Sequence, residues 1–143
     1  MKILTVGDCH VHENEDVSRF DILGRYIADT QPDVVVFMGD FLTLNCLSAW
    51  DRDKRLKMEG RRYQSEIDAG NAALDAVTKY VISNRKKARK QKKKFYTPEW
   101  VFIEGNHEDR LTRYLDRDPT FKGFVDIYDN LHLEERGFRS DRS

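Results

Sequence analysis

"VVVFMGD", residues 34–40, decides the fold. Its five consecutive apolar residues, three of them β-branched, suit a strand covered on both faces. Gly39 then ends the run and hands it to the carboxylate of Asp40. Two other stretches repeat this pattern. "KILTV" (2–6) leads into Gly7-Asp8-Cys9-His10, and "WVFIE" (100–104) leads into Gly105-Asn106-His107-Glu108. Each is an apolar strand closed by glycine, which lets the backbone turn sharply, and followed by polar chemistry.

The intervening segments alternate with these strands. Residues 16–29 place Val17, Phe20, Leu23, Ile27 and Ala28 at helical spacing, and "TQPD" breaks the pattern. Residues 44–94 are charged and rich in helix formers. Gly60 and Gly70 predict two helices there, the second starting near Arg61 with Tyr63, Ile67, Leu74, Val77 and Val81 on one face. Residues 108–116 read as a short helix and 124–128 as a weak strand or loop. "RGFRSDRS" (136–143) reads as a frayed end without a terminal strand. The order predicts an α/β fold, a sheet with parallel strands flanked by helices. It also predicts a single domain over 1–143 with a helical insert at about 44–94.

Bulk composition narrows the function classes. Formal charge is zero, from 25 basic and 25 acidic residues, so a globally basic nucleic-acid binder is not indicated. A local patch stands out at Arg85–Lys94, "RKKARKQKKK", with eight basic residues in ten. It reads either as a solvated helix end or as a phosphate contact that brings nucleic acid to the active centre. Two cysteines, Cys9 and Cys46, make no disulfide framework. No apolar run reaches about 18 residues, so no membrane span is predicted. The N-terminus lacks a signal-peptide core, and the default location is cytoplasmic.

In open parallel sheets, ligands bind beyond the carboxyl ends of the strands. Three adjacent strand ends bring Asp8, His10, Asp40, Asn106 and His107 to one crevice. Asp8 and His10 are two apart, so both point the same way from an extended segment, with Cys9 turned into the packing between them. Carboxylate, imidazole and amide oxygen together suit Mn²⁺, Fe²⁺ or Zn²⁺. Asp40 has two oxygens with which to bridge a metal pair about 3.5–4 Å apart.

"GDCH", "GDF" and "GNHE" resemble the first three motifs of the calcineurin-like metallophosphoesterases: D-x-H, G-D-x and G-N-H-[ED]. The likeness runs from residue 1 to about 115. The stretch from Cys46 to Asp75 resembles the helical insert of phosphoesterases often encoded by bacteriophages, which would place the protein in a host cytoplasm. The resemblance implies metal-assisted phosphoester hydrolysis with two divalent ions, Mn²⁺ first and Fe, Zn or Ni as alternatives. It implies that Asp8 and His10 bind the first ion, that Asp40 bridges both, and that Asn106 binds the second. It implies that His107 protonates the leaving oxygen and that Glu108 orients its neighbours.

One departure shapes the expectations. The family's later histidine motif, G-H-x-H, occurs nowhere in the chain, whose histidines are His10, His12, His107 and His132. The second ion then has only Asp40 and Asn106. The resemblance therefore implies an incomplete two-sheet architecture, an exposed apolar sheet face and an open edge. A truncated product is the first explanation; a homo-oligomer or second chain covering that face is another. The preferred substrate is a phosphodiester, nucleic acid included. The alternative is a weak or inactive relative acting as a metal-binding, nucleic-acid-binding or interaction protein. His12 is a solvated loop residue or a substrate contact, with Arg61 and Arg62 as further substrate-binding candidates. His132 reads as surface or core filler, or as a compensating metal ligand. Cys46 reads as a packing residue, and Trp50, Tyr63 and Phe41 read as helix packing or as the lining of a substrate groove.

Overall fold

The protein is described from a computed structural model over residues 1–44, 60–106, 108, 109, 113 and 126–140, the side chains of residues 60–62 aside. Among the described residues four strands form one sheet: β1 (Ile3–Val6), β2 (Val34–Phe37), β3 (Glu99–Phe102) and β4 (Phe138–Ser140). Their order is β1-β2-β3-β4 and every pairing is parallel. Helix α1 (Ser18–Thr30) connects β1 to β2, α2 (Gly60–Lys90) lies between β2 and β3, and a single turn, α3 (Ile127–Asn130), precedes β4.

Sequence order and spatial order coincide, so the right-handed crossovers place α1 and α2 on the same side of the sheet. The two helices meet closely at Gly24, where an added Cβ would lie 2.6 Å from the Ala76 carbonyl oxygen and 2.8 Å from that of Val77. Strand alternation then divides the sheet into two unlike faces. Val35, Phe37, Trp100, Phe102 and Phe138 turn inward to the core that includes Phe20, Ile27, Leu74, Val77 and Val81. Phe37, Phe41, Phe102 and Phe138 form a chain of ring contacts with centroids 5.5–5.8 Å apart.

The opposite face carries Ile3, 59% exposed, with exposed Thr5, Glu99 and Arg139 and half-covered Val34, Val36 and Val101. The continuous apolar run at 34–38 predicted cover on both faces; among the described residues the helical layer covers only one.

Three further expectations are corrected. Gly70 does not split α2, which runs unbroken for 31 residues. It is small because an added Cβ would strike the side chains of Leu42 at 2.8 Å and Leu131 at 2.9 Å. The expected first helix of the insert, with Cys46 and Trp50, falls on 45–59, outside the described residues. Of the supposed strand or loop at 124–128, the described residues 126–128 instead begin a helical turn, because the Asp126 carboxylate accepts the Tyr128 N–H at 2.9 Å as an N-cap. The supposed frayed end supplies β4: Phe138 packs on Trp100 with centroids 5.4 Å apart and pairs in register with it. The short helix expected at 108–116 lies mostly outside the described residues.

Candidate metal centre

Val6, Phe37 and Phe102 lie side by side in register at the ends of β1, β2 and β3. The chain leaves these three ends toward Asp8 and His10, Asp40, and Asn106. One donor atom each from Asp8, His10 and Asp40 lies within 4.8 Å of the others. Asp8 is exposed, while His10 and Asp40 are half-buried, so the donors share an open rim.

The route by which these donors meet differs from the extended segment that the spacing predicted. Asp8, His10 and Asp40 all adopt left-handed backbone, with φ of 33°, 48° and 51°. Such conformations cost non-glycine residues about 1–3 kcal/mol each and persist only where the surroundings enforce them. Cys9, between the two β1 donors, is buried, and burial pushes its thiol up to about 11, so it packs as a small apolar group.

The enforcing contacts are visible. His10 N–H donates to the Asp40 carbonyl at 3.0 Å, and Val11 N–H donates to that of Phe41 at 2.7 Å. Thr43 donates through its N–H to the Val11 carbonyl at 2.8 Å and through its hydroxyl to that of His10 at 2.8 Å. Arg19 donates to the Cys9 carbonyl and, at 2.7 Å, to the Glu15 carboxylate. The segments after β1 and β2 are thus stitched to each other beyond the sheet. Arg19 and Thr43 carry no motif that would have marked them in the sequence.

The third strand end acts through its glycine and its glutamate. Gly105 lies against Asp40: an added Cβ would fall on the Asp40 amide nitrogen and Oδ1 and 2.9 Å from the Gly39 carbonyl carbon. Gly39 itself has φ of 103°. Gly7 has neither constraint, since an added Cβ there meets nothing within 4 Å. The Glu108 carboxylate is buried and accepts the Phe41 N–H at 2.6 Å, which fixes the backbone immediately after Asp40. Burial pushes the Glu108 carboxyl above its ordinary range, and among the described residues its Oε2 has no hydrogen-bond partner. Glu108→Ala is expected to destabilise the fold by about 1–3 kcal/mol in urea denaturation, because the Phe41 amide is left buried and unpaired. Glu108→Gln keeps the acceptor and is expected to recover most of the loss.

The remaining candidates are placed as follows. Asn106 is exposed and follows directly on Gly105 at this rim. His107 and the side chains of Arg61 and Arg62 lie outside the described residues. The His12 ring is half exposed, with Nε2 3.4 Å from Glu15 Oε2. His132 is exposed, has φ of 54° and sits 3.9 Å from Glu135, outside the three-donor cluster. Phe41 and Tyr63 are buried in the core.

Two carboxylates and an imidazole form a mixed oxygen–nitrogen set that fits a divalent transition metal. Three protein ligands with open positions are also the usual arrangement at a catalytic ion. A family model described as calcineurin-like phosphoesterase matches residues 1–141. The comparisons with curated proteins and with solved structures gave no match.

Proposed function

The chain belongs to the calcineurin-like phosphoesterase family, and from that premise we propose that it hydrolyses phosphodiesters at the rim formed by Asp8, His10 and Asp40. The observation that carries this reading is the convergence of those three donors within 4.8 Å. Asp8, His10 and Asp40 would hold one divalent ion. Asp40, with the Asn106 amide oxygen, would hold a second. Mn²⁺ is the first choice, with Fe, Zn or Ni as alternatives. When bound, such ions polarise phosphoryl oxygens and make water nucleophilic near neutral pH.

The chain's own residues supply the rest. Gly105 and the Glu108–Phe41 hydrogen bond hold Asp40 in its left-handed conformation. The carboxylates of Asp8 and Asp40 provide the negative charge that collects cations. His107, adjacent to Asn106, protonates the leaving oxygen. Arg61, Arg62 and His12 are proposed to contact the substrate. Among the described residues no helix is long and apolar enough to cross a membrane.

Hydrolysis of bis-p-nitrophenyl phosphate with added Mn²⁺ tests the reading. Turnover is expected, abolished by a chelator and reduced about 10²-fold or more in His107→Ala, the usual contribution of a proton donor. Absence of turnover with Mn²⁺, Fe²⁺, Zn²⁺ and Ni²⁺ alike would refute it. The half-open outer face of the sheet favours one second reading, a partner-binding relative without turnover. Its signature is metal binding with no hydrolysis.

A further inference from the structure

We propose that the C-terminal end of α2 and the loop that follows it form a docking surface for single-stranded nucleic acid, separate from the metal rim. This goes beyond the hydrolase reading and does not depend on it.

The surface is built from charge that nothing else uses. Every cation from Lys86 to Lys94 is exposed, and among the described residues none of them is ion-paired. Some positive charge near a helix C-terminus complements the helix dipole, but that effect fades within the last turn. Here α2 ends at Lys90 and is closed by paired bonds, Lys92 N–H to the Arg89 carbonyl at 3.1 Å and Lys93 N–H to that of Ala88 at 2.8 Å. Lys92, Lys93 and Lys94 lie beyond the last helical turn, so the dipole does not account for them.

Aromatic and concave features accompany the charge. Phe95 is 44% exposed, with the Arg89 guanidinium 5.2 Å from its ring centroid. An open ring beside unpaired cations is the combination that stacks a base while neutralising its phosphates. A groove of about 660 Å³ begins at Arg85 and Lys86 and runs toward Pro98 at the start of β3; Glu135 and an Asp75–Arg136 ion pair also line it, so its charge is mixed and the free cations lie at its α2 end. An anionic membrane is the poorer fit. Surface-bound helices present an open apolar stripe opposite their cations, whereas the side of α2 opposite Lys86, Lys87 and Lys90 is occupied by Val77 and Val81, which are buried in the core.

Position separates this surface from the rim. Gly70 of α2 touches Leu42, just past Asp40. Lys90 lies twenty residues farther along the same helix, about 30 Å at 1.5 Å per residue. The chain then returns at the opposite end of the strands, where the Tyr96 hydroxyl donates to the Pro32 carbonyl at 2.5 Å, just before β2. The basic run therefore does not sit beside the metal ligands.

The test is fluorescence anisotropy of a labelled single-stranded oligodeoxynucleotide with the full chain in EDTA. Salt-sensitive binding is expected, unchanged in Asp40→Asn. Replacing Lys90, Lys93 and Lys94 with glutamine is expected to lower the salt-dependence slope by about 2 and the affinity at 0.1 M salt by about 100-fold. Phe95→Ala is expected to weaken binding on the order of tenfold, and thermal melting checks that both variants remain folded. No salt-sensitive binding, wild-type affinity in both variants, or equal affinity for phosphatidylserine vesicles or for duplex DNA would each overturn the proposal. With metal chelated, failure here leaves the hydrolysis reading intact, and loss of hydrolysis leaves this one standing.

Discussion

Replacing Asp40 with asparagine is expected to lower Mn²⁺-dependent hydrolysis by about three orders of magnitude while shifting the melting midpoint little. Asp40 has φ of 51°, a conformation that asparagine tolerates better than most residues, so the backbone is preserved. The side chain loses its charge and one of the two oxygens proposed to bind metal. Bound ions contribute several kcal/mol of transition-state stabilisation, and each 1.36 kcal/mol is a factor of ten in rate. Losing about 4 kcal/mol of that contribution gives the expected drop. Alanine is a poorer probe, because it adds about 1–2 kcal/mol of left-handed strain to the loss of the ligand. Turnover measured beside calorimetric Mn²⁺ titration separates the effects: the variant should bind Mn²⁺ more weakly and remain folded. Activity within tenfold of the parent would remove Asp40 from its proposed place between the ions.

Gly105→Ala carries the largest expected loss of stability. The added methyl would occupy the space of the Asp40 amide nitrogen and Oδ1 and crowd the Gly39 carbonyl carbon. Two of those atoms are backbone, which cannot swing aside as a long side chain does. Overpacking of this kind costs typically 1–3 kcal/mol, and a clash against fixed backbone belongs at the upper end, about 3 kcal/mol. Gly7→Ala is the internal control. Gly7 also ends a strand of this rim, yet an added methyl there meets nothing within 4 Å, so a change of about 0.5 kcal/mol or less is expected. Urea denaturation of the two variants reads the difference. Equal midpoints would mean that Gly105 is dispensable to the rim.

The strand ends were legible in the sequence because strand, glycine and polar group recur three times, and each repeat is local. Asp8, His10 and Asp40 converge as that pattern predicted. What escaped reading depends on neighbours distant in the chain. Gly70 looks like a helix breaker until Leu42 and Leu131 are seen against it. Phe138 sits in a segment too short for periodicity, and only Trp100 and Phe37 make it a strand. The left-handed turns at Asp8 and His10 carry only a weak residue signal, the tolerance of Asp and His for positive φ; Thr43, Arg19 and the Asp40 carbonyl, distant in the chain, hold Cys9 and His10 in place. Glu108 was legible as an orienting group, but its bond to the Phe41 amide was not. One-sided cover of the sheet was implied by the absent G-H-x-H motif and not by the apolar runs, because it follows from strand order.

The all-parallel topology also governs how the chain reaches this state. Ile3 pairs beside Val34, Val34 beside Glu99, and Trp100 beside Phe138. Among the described residues no hairpin nucleates the sheet, so each of these pairings must close a long loop before it gains anything, and high contact order slows such folding. Asp8 and Asp40 become neighbours only after the first of those closures. In the unfolded chain Asp40 is distant from Asp8 and His10, so a cation that binds all three favours the native population by mass action.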